Sequence, residues 1–440
     1  MGTFTAGGFD VLQGRNPVKI LVIGSGGREH AIIKTLNKNR KISKIFAAPG
    51  NGGISRDAEC VPIKAVDIQK MTDFAINNKI DYVVVTPDDP LALGMVDALE
   101  QKGIRCFGTK KAAAQIESSK IFAKNLMKKY GIPTAAYEIF TDADKAQKYV
   151  KSKEIAFPIV IKADGLALGK GVIIAENCEQ AMDAITSVMV DKIFGESGSS
   201  IVIEEFLTGP EVSVLAFTDG KTIVPMISSM DHKRAFDGNT GPNTGGMGAI
   251  APNPHYTDKI ARQCEKTIYL QTIRAMREEG CPFKGCLFFG LMLTPRGPSV
   301  IEYNCRFGDP ETQAVLPLLE TDLLEIMESI SDEKLDSINI RWKDAFTACV
   351  VLSSGGYPVS YETGFEIGGI NNEGNIKDSD SLIFHAGTKY KDGKFYTAGG
   401  RVLGVTAVSD TPDAAIDKSY RTADKISYNK MFYRKDIGKY

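Results

Sequence analysis

A short apolar run that ends in a glycine-rich turn strongly constrains the fold of the first part of the chain. Residues 18–23 form this run, the turn Gly24-Ser25-Gly26-Gly27 follows, and a helical pattern begins directly after it. Further apolar runs at residues 45–48 and 82–85 are separated by a helical pattern over residues 71–79. Strands that alternate with helices predict a parallel, doubly wound sheet.

The middle of the chain has a different pattern. Apolar residues 159–163 and 172–175 flank a loop too short for a crossover helix, which predicts an antiparallel hairpin. We expect residues 201–206 and 212–217 to continue the same sheet. Residues 228–254 are rich in glycine and proline and predict a long loop without regular structure, and such loops are usually functional.

The length of 440 residues predicts two to four domains, because a single core stops growing at roughly 250–300 residues. Residues 1–17 are small, polar and glycine-rich, which predicts a disordered leader or a remnant of cloning. We expect an N-terminal α/β domain over 18–118, a central domain over 119–335 and a small C-terminal α+β domain over 336–440.

Charge, cysteine content and hydropathy exclude several classes of protein. A net charge of −1 argues against a general nucleic-acid binder, which needs many lysines and arginines to neutralise phosphates. The 8 cysteines lack the paired short spacings of a zinc site and predict free thiols in a reducing compartment. No apolar run approaches the ~20 residues of a membrane span, so the sequence predicts a cytoplasmic protein.

The turn at Gly24–Gly27 favours an anion, because it opens a helix whose N-terminal amides are free to bind one. A dinucleotide fingerprint would need glycine where Glu29 stands and an acid near Ala48, so a nicotinamide cofactor is disfavoured. A phosphate or sugar-phosphate site and a purely structural turn both remain open.

Two lysines, Lys162 and Lys170, bracket a second glycine-rich loop. The loop is not a P-loop, because only three residues separate Gly165 from Gly169 and Gly171 replaces the serine or threonine. A hairpin of this kind can fold over polyphosphate, with Lys162 on the strand and Lys170 at the tip. A solvated hairpin is the alternative.

The segment from Ile301 to Thr312 carries the sharpest chemical signal. Period-two alternation places Glu302, Asn304 and Arg306 on one face of a strand. Carboxylate and amide oxygens suit Mg²⁺, and a guanidinium beside them suits an anionic substrate group. A solvated strand face is the alternative. A weaker signal, the run Glu204–Leu207 at a strand end, is compatible with an adenine site.

Taken together, these motifs resemble those of the phosphoribosylamine–glycine ligase family of ATP-grasp enzymes, over about residues 18–438. The strings that carry the resemblance are IGSGGREH (23–30), APGN (48–51), IKADGLALGKGV (161–172), DHKR (231–234), GPNTGGMGA (241–249), NCRFGDPETQ (304–313), HAGTK (385–389) and GGRVL (399–403). The resemblance implies an α/β multidomain protein with an ATP-grasp domain over 119–335 and a mobile lid at about 135–207.

The resemblance also implies a reaction and its small-molecule partners. ATP, glycine and 5-phosphoribosylamine would give glycinamide ribonucleotide, ADP and phosphate through a glycyl phosphate, with Mg²⁺ or Mn²⁺ as the metal. It implies a monomer or weak homodimer that acts without nucleic acid or a membrane. Another ATP-grasp ligase or carboxylase on a related phosphoribosyl substrate, and a non-catalytic nucleotide sensor, are the alternatives.

Carried over motif by motif, the resemblance implies a role for each candidate residue. Lys162, Asp231 and Arg306 are the candidate catalytic residues. The remaining assignments are Lys120, Lys162 and Lys170 for the ATP phosphates, Glu204, Phe206 and Leu207 for adenine, Glu211 for its ribose, Glu302 and Asn304 for the metal, Asp231 and Arg306 for glycine, Gly26, Gly27, Asn51, Lys389 and Arg401 for the ribose phosphate, and Asp88 for ribose hydroxyls.

The chain departs from the family pattern at two places. Asp88 stands where the family usually has glutamate, so its carboxylate reaches one methylene less far. Residues 289–293, on the strand that precedes Glu302, contain no acid, whereas many ATP-grasp enzymes carry a second metal carboxylate there. The resemblance therefore predicts that Glu302 and Asn304 supply most of the protein's metal ligation.

Overall fold

The computed structural model describes residues 17–152, 154–166 and 171–439. The predicted leader, apart from Pro17, and the predicted phosphate ligand Lys170 lie outside these ranges. No helix within them is long and apolar enough to cross a membrane.

The N-terminal region forms the predicted parallel, doubly wound sheet, with strand order β3-β2-β1-β4-β5. Alternate residues of β1 enter different apolar clusters, Leu21 and Ile23 on one face and Ile20 and Val22 on the other, so both faces are covered. The elements are β1 (Val18–Gly24), α1 (Gly27–Leu36), β2 (Ile42–Pro49), α2 (Ile54–Asp57), β3 (Glu59–Cys60), α3 (Ile68–Asn77), β4 (Tyr82–Val85), α4 (Asp88–Leu93), α5 (Met95–Gln101), β5 (Arg105–Phe107) and α6 (Lys111–Ser118).

A four-stranded sheet of order β6-β9-β7-β8 follows, and it has its own apolar cluster around Ile161, Ile185 and Ile201. The predicted hairpin is confirmed, because β7 and β8 pair antiparallel. The elements are α7 (Lys120–Tyr130), β6 (Tyr137–Phe140), α8 (Ala143–Val150), β7 (Ile159–Ala163), β8 (Val172–Ala175), α9 (Cys178–Ile185) and β9 (Ile201–Glu205).

The prediction that residues 212–217 continue this sheet is wrong. They lie in β10, in a second four-stranded sheet of order β11-β10-β16-β17. The chain changes sheet at Gly209, where φ is +147° and a Cβ atom would lie 2.1 Å from the Leu293 carbonyl oxygen. Only glycine fits that approach. The strands are β10 (Glu211–Thr218), β11 (Ile223–Pro225), β16 (Gly285–Thr294) and β17 (Gly297–Asn304), and helices α10 (Asp258–Cys264) and α11 (Leu270–Glu278) lie between β11 and β16.

The prediction of a loop without regular structure over residues 228–254 is also wrong. This segment holds the short strands β12 (Met230–Asp231), β13 (Arg234–Phe236), β14 (Thr240–Asn243) and β15 (Gly248–Ala251). Strand β15 pairs with a strand about one hundred residues later in the chain. Its backbone hydrogen bonds are therefore satisfied by a partner that local sequence does not reveal.

The C-terminal region forms a sheet of order β12-β15-β18-β22-β19, with β23 paired to β18. Because β12 and β15 precede residue 336, this sheet crosses the predicted domain boundary. Helix α14 packs on it through Ala415 and Ala423. The elements are α12 (Glu311–Val315), α13 (Leu323–Ser331), β18 (Phe346–Ser354), β19 (Leu382–His385), β20 (Thr388–Lys391), β21 (Lys394–Thr397), β22 (Arg401–Ser409), α14 (Pro412–Ala423) and β23 (Met431–Phe432).

Candidate active site

The predicted metal pair lies at the end of β17. Glu302 is opposite Gly290 of β16, where a Cβ atom would lie 2.9 Å from the Glu302 Cγ atom. The missing side chain at 290 therefore leaves room for the Glu302 side chain, which explains why no acid stands there. The Lys233 ammonium lies 3.6 Å from the Glu302 carboxylate. Burial raises the pKa of Glu302, but the charges of Lys233, Lys162 and Lys120 together lower it by more. The net effect is a pKa below the usual value, so Glu302 is ionised at neutral pH.

The donor set of this pair fits a hard divalent cation. Within the described part of the chain, no group of three or more His, Cys, Asp or Glu side chains is placed to hold a metal ion by itself. Glu302 and Asn304 offer only two ligand groups, a carboxylate and an amide oxygen. This fits a metal ion that takes its remaining ligands from nucleotide phosphates and water.

The prediction that Arg306 shares a strand with Glu302 and Asn304 is wrong, because β17 stops at Asn304. Arg306 and Asn304 nevertheless both contact the same acid, Glu117 of α6. The Glu117 carboxylate accepts hydrogen bonds from Asn304 Nδ2 at 2.9 Å and from the Cys305 amide at 2.7 Å, and Arg306 Nη2 lies 3.3 Å away. Burial raises the pKa of Glu117, and the Arg306 guanidinium opposes that shift.

Three lysines surround the predicted nucleotide site. Lys162 and Lys124 lie 3.0 and 3.1 Å from the same Glu204 oxygen, while the other Glu204 oxygen is buried and accepts no hydrogen bond from the described residues. Lys162 also donates to the Ile301 carbonyl, which ties β7 to β17. Lys120 donates to the Gly165 carbonyl at 2.9 Å. Burial lowers the pKa of Lys124 to about 8.

The other predicted nucleotide ligands follow β9. Leu207 is buried and Phe206 is 38% exposed. Glu211, at the start of β10, pairs with Lys233 at 3.0 Å. Lys233 thus bridges the predicted ribose ligand and the metal ligand Glu302, and the charge of Glu211 raises the pKa of Lys233 well above its usual value.

Two acids interact electrostatically near Arg306, namely Asp231 on β12 of the C-terminal sheet and Glu311 on α12. Burial, and then the charge of Glu311, raise the pKa of Asp231 well above its usual value. The Asp231 Oδ1 atom is buried and accepts no hydrogen bond from any described residue. The Arg306 Nε atom is likewise buried without an acceptor. Glu311 interacts electrostatically with both Asp231 and Arg306.

A cavity of about 590 Å³ lies between the N-terminal glycine turn and the C-terminal sheet. Its lining includes four of the predicted ribose-phosphate ligands, namely Gly26, Asn51, Lys389 and Arg401. Gly27 does not line it, because it is buried against Gln313, whose Nε2 atom would lie 2.5 Å from an added Cβ. Lys389 is exposed, and no ion pair to its ammonium is found among the described residues.

Three of these lining residues already have protein partners. The Gly26 amide donates to Glu29 Oε2, within the cap at the start of α1. The Asn51 side chain donates to the Ser25 and His385 carbonyls and accepts from the Ile54 amide. Its side chain therefore joins the glycine turn to β19. The Arg401 guanidinium pairs with Asp309 at 3.3 Å and donates to the carbonyls of Gly245, Gly246 and Asp309.

Buried histidines brace the same cavity. His30 accepts from the His385 amide at Nδ1, which leaves Nε2 as the donor to Asp57 at 2.8 Å. Burial lowers the pKa of His385 to about 3, so this histidine is neutral. The network joins α1 to the end of β19, directly before the cavity-lining residues 386–389.

Sequence reasoning missed several residues of this site. Glu117, Lys124 and Glu311 are buried polar residues that contact predicted ligands. Glu117 and Lys124 lie on helices beside Lys120, and Glu311 lies within the quoted NCRFGDPETQ string. Each of these three residues is an acid or a lysine within a few positions of a predicted ligand. This proximity is a weak sequence signal by which they could have been identified. Asp88 acts on Glu117 and Arg306 through its charge, so it belongs to this region.

Comparisons with known proteins identify the family. Family models match the chain over three consecutive segments: Phosphoribosylglycinamide synthetase, N domain, at residues 18–117, its ATP-grasp (A) domain at 118–312 and its C domain at 347–440. Phosphoribosylamine–glycine ligase of Caldanaerobacter subterraneus subsp. tengcongensis is 46% identical over 96% of this chain and 99% of that protein. The ligase of the same name from Clostridium acetobutylicum is 45% identical over 96% of this chain and all of that protein.

Solved structures agree. The structure of phosphoribosylamine–glycine ligase from Thermotoga maritima has a TM-score of 0.82 at 33% identity, and covers 96% of this chain and 100% of that chain. The biotin carboxylase domain of Hydrogenobacter thermophilus 2-oxoglutarate carboxylase has a TM-score of 0.72 at 16% identity, covering 94% of this chain and 91% of that one, which shows a shared fold alone. The predicted ATP-grasp fold is confirmed, and the chain belongs to the phosphoribosylglycinamide synthetase family of ATP-grasp ligases.

Proposed function

We propose that this enzyme joins glycine to 5-phosphoribosylamine through a glycyl phosphate, giving glycinamide ribonucleotide, ADP and phosphate. The observation that carries the proposal is a pair of unmet hydrogen-bonding groups. Asp231 Oδ1 is a buried acceptor without a donor among the described residues, and Arg306 Nε is a buried donor without an acceptor there. Buried polar groups of this kind are costly unless a ligand satisfies them, and the ammonium and carboxylate of glycine offer the two missing partners.

ATP would be bound by the lysines and the metal pair. Lys120 and Lys162 would contact its phosphates, and the family resemblance also assigns Lys170 to them. Phe206, Leu207 and the Glu204 segment would frame adenine, and Glu211 would take the ribose. Glu302 and Asn304 would hold Mg²⁺ or Mn²⁺, which supplies neutralisation of phosphate charge. The remaining work of this site is positioning and charge stabilisation, which dominate phosphoryl transfer.

The two half-reactions would then use neighbouring parts of the site. Arg306 would orient the glycine carboxylate, whose oxygen attacks the γ-phosphorus as ADP leaves. The amine of phosphoribosylamine would next attack the acyl carbon, forming the C–N bond as the C–O bond to phosphate breaks. The amine nitrogen loses one proton in this step, which the departing phosphate can take. Closure of the lid at about 135–207 would exclude water from the acyl phosphate.

The 590 Å³ cavity would hold phosphoribosylamine. Lys389 would receive its phosphate, and Asp88 would lie near the ribose hydroxyls. The predicted phosphate ligand Gly26 would line the site, because its amide already donates to Glu29. Because Arg401 and Asn51 already bond protein groups, their contribution would be to shape the cavity and to add positive charge. Gly27 would allow the turn to pack closely against Gln313.

The direct test is release of ADP in the presence of both substrates. Activity that requires glycine and phosphoribosylamine together supports the proposal. Activity that persists when glycine is replaced by bicarbonate or another amino acid would instead support a different ATP-grasp ligase or carboxylase.

Changing Lys389 to alanine is expected to raise the KM for phosphoribosylamine by about tenfold, because one phosphate contact is lost. The charged hydrogen bond is worth about 1.5–3 kcal/mol, and 1.4 kcal/mol corresponds to tenfold. The KM for glycine should not change. Lys391→Ala, on the same strand and equally exposed, is the matched control. An equal rise in both KM values for Lys389→Ala would argue against a phosphate contact.

The cellular setting follows from composition. All 8 cysteines are free thiols, which is typical of a reducing compartment, and we place the enzyme in the cytoplasm. With a net charge of −1 it would act on small molecules rather than on nucleic acid or a membrane. We expect a monomer or weak homodimer, which sedimentation at several concentrations would distinguish. The domain limits would be 18–118, 119–335 and 336–440, with β12 and β15 of the central domain adding two strands to the C-terminal sheet.

A further inference from the structure

Glu117 receives three donors from three consecutive residues. Asn304 Nδ2 and the Cys305 amide donate to its two carboxylate oxygens, and the Arg306 guanidinium lies within 3.3 Å. The acid sits at the end of α6 and is only 8% exposed. All three partners are donors, which is the pattern that an ionised carboxylate satisfies and that a neutral amide cannot.

This pattern determines the orientation of the Asn304 amide. An ionised carboxylate accepts hydrogen bonds only, so the NH₂ group of Asn304 must face Glu117. The Oδ1 atom, the only atom of the amide that ligates a hard cation, is then turned away from Glu117. No described residue donates a hydrogen bond to that oxygen.

We propose that Glu117 is a positioning residue for the metal, because it holds the Asn304 amide with Oδ1 free to ligate and places Arg306 beside it. This inference rests on the proposed metal role of Asn304. Glu117 itself contacts no reacting atom. The same carboxylate thereby links a metal ligand to the guanidinium that would bind the glycine carboxylate.

A purely structural role would not need an acid. Burying a carboxylate is costly, and an apolar side chain could pack at the end of α6 without that cost. The acid is explained if the donors at 304, 305 and 306 must be held in one arrangement. Groups that orient metal ligands in this way typically change metal affinity by 10–100-fold when removed.

Glu117→Gln tests the orientation. Its amide has one acceptor and one donor group, so it cannot accept from all three partners, and the Asn304 amide relieves the conflict by turning its nitrogen towards the metal. We expect the Kd for Mn²⁺, measured by electron paramagnetic resonance with a saturating non-hydrolysable ATP analogue, to rise at least tenfold. Glu100→Gln, an exposed glutamate paired with Lys110, is the control and should leave the Kd unchanged.

The decisive variant pairs Glu117→Gln with Asn304→Asp. Asn304→Asp alone places two carboxylates face to face and should weaken Mn²⁺ binding. In the double variant the amide introduced at position 117 can donate to the carboxylate introduced at position 304, so the Kd should return to within about threefold of the wild type. A structural role for Glu117 instead predicts that Glu117→Gln is harmful in both backgrounds, and that result overturns the inference.

Asn304→Ala distinguishes failure of the metal role of Asn304 from failure of the positioning role of Glu117. If it leaves the Mn²⁺ Kd unchanged, the proposed metal role of Asn304 fails and the Glu117 inference fails with it. If Asn304→Ala weakens Mn²⁺ binding and Glu117→Gln does not, only the Glu117 inference is overturned. Thermal melting of each variant shows whether the protein is folded before its Kd is compared.

Discussion

Replacing Glu302 by alanine is expected to lower kcat by at least about 100-fold. The carboxylate is one of only two protein groups that we assign to the metal. Metal stabilisation of developing phosphate charge is worth several kcal/mol, and 1.36 kcal/mol corresponds to a tenfold change in rate. Lys233 keeps its partner Glu211 at 3.0 Å, so the change does not leave a buried lysine unpaired. ADP release with both substrates at saturation measures the effect.

Glu278→Ala is the matched control for this change, because Glu278 is an exposed glutamate paired with Arg274 on α11. Its kcat should equal that of the wild type. Glu302→Ala should still bind the adenine nucleotide in the absence of metal, since the adenine pocket that we propose at Phe206 and Leu207 is unchanged. A kcat within tenfold of the wild type would show that Glu302 does not hold the essential metal.

The local sequence pattern was sufficient to predict the positions of site residues that lie along one strand. Alternation correctly placed Glu302 and Asn304 on β17, and alternating strands and helices correctly predicted the parallel N-terminal sheet. These features depend on neighbours in sequence, which periodicity reads directly. The hairpin of β7 and β8 was predicted for the same reason.

The remaining features depend on contacts between distant residues. Glu117 reads as an ordinary polar residue of a helix, and its role appears only when residues 304–306 fold against it. The change of sheet at Gly209 depends on the backbone of Leu293, and β15 takes its partner from β18. Lys389 and Gly26 likewise meet in one cavity only after the N- and C-terminal sheets pack together.

Asp231→Asn is expected to raise the KM for glycine by about 100-fold, although it keeps the size and shape of the side chain. The ammonium of glycine would lose a buried ionic partner, and loss of one partner of such a pair costs about 2–5 kcal/mol. The KM for ATP should change much less. Asp410→Asn, an exposed aspartate after β22, is the matched control.

The same substitution should stabilise the ligand-free protein. Burial and the charge of Glu311 raise the pKa of Asp231, so the folded state binds a proton more tightly than the unfolded state does. Between the unfolded pKa of 3.8 and the raised value, the folded state holds more protons, and this group makes stability fall as pH rises. Asp231→Asn removes that loss. Its melting temperature at pH 7 should exceed that of the wild type by about 2 °C or more, and the advantage should shrink towards pH 4.

A stabilised variant with a high glycine KM would identify Asp231 as a residue whose unmet charge is retained for substrate. The two measurements can fail separately. A lower melting temperature at pH 7 would mean that Asp231 is already satisfied in the folded protein, and the unpartnered Oδ1 would then carry no argument for a ligand. An unchanged glycine KM together with a higher melting temperature would confirm that the buried Asp231 destabilises the protein. It would also show that the ammonium of glycine binds elsewhere. Glu311 would then be the next acid to replace.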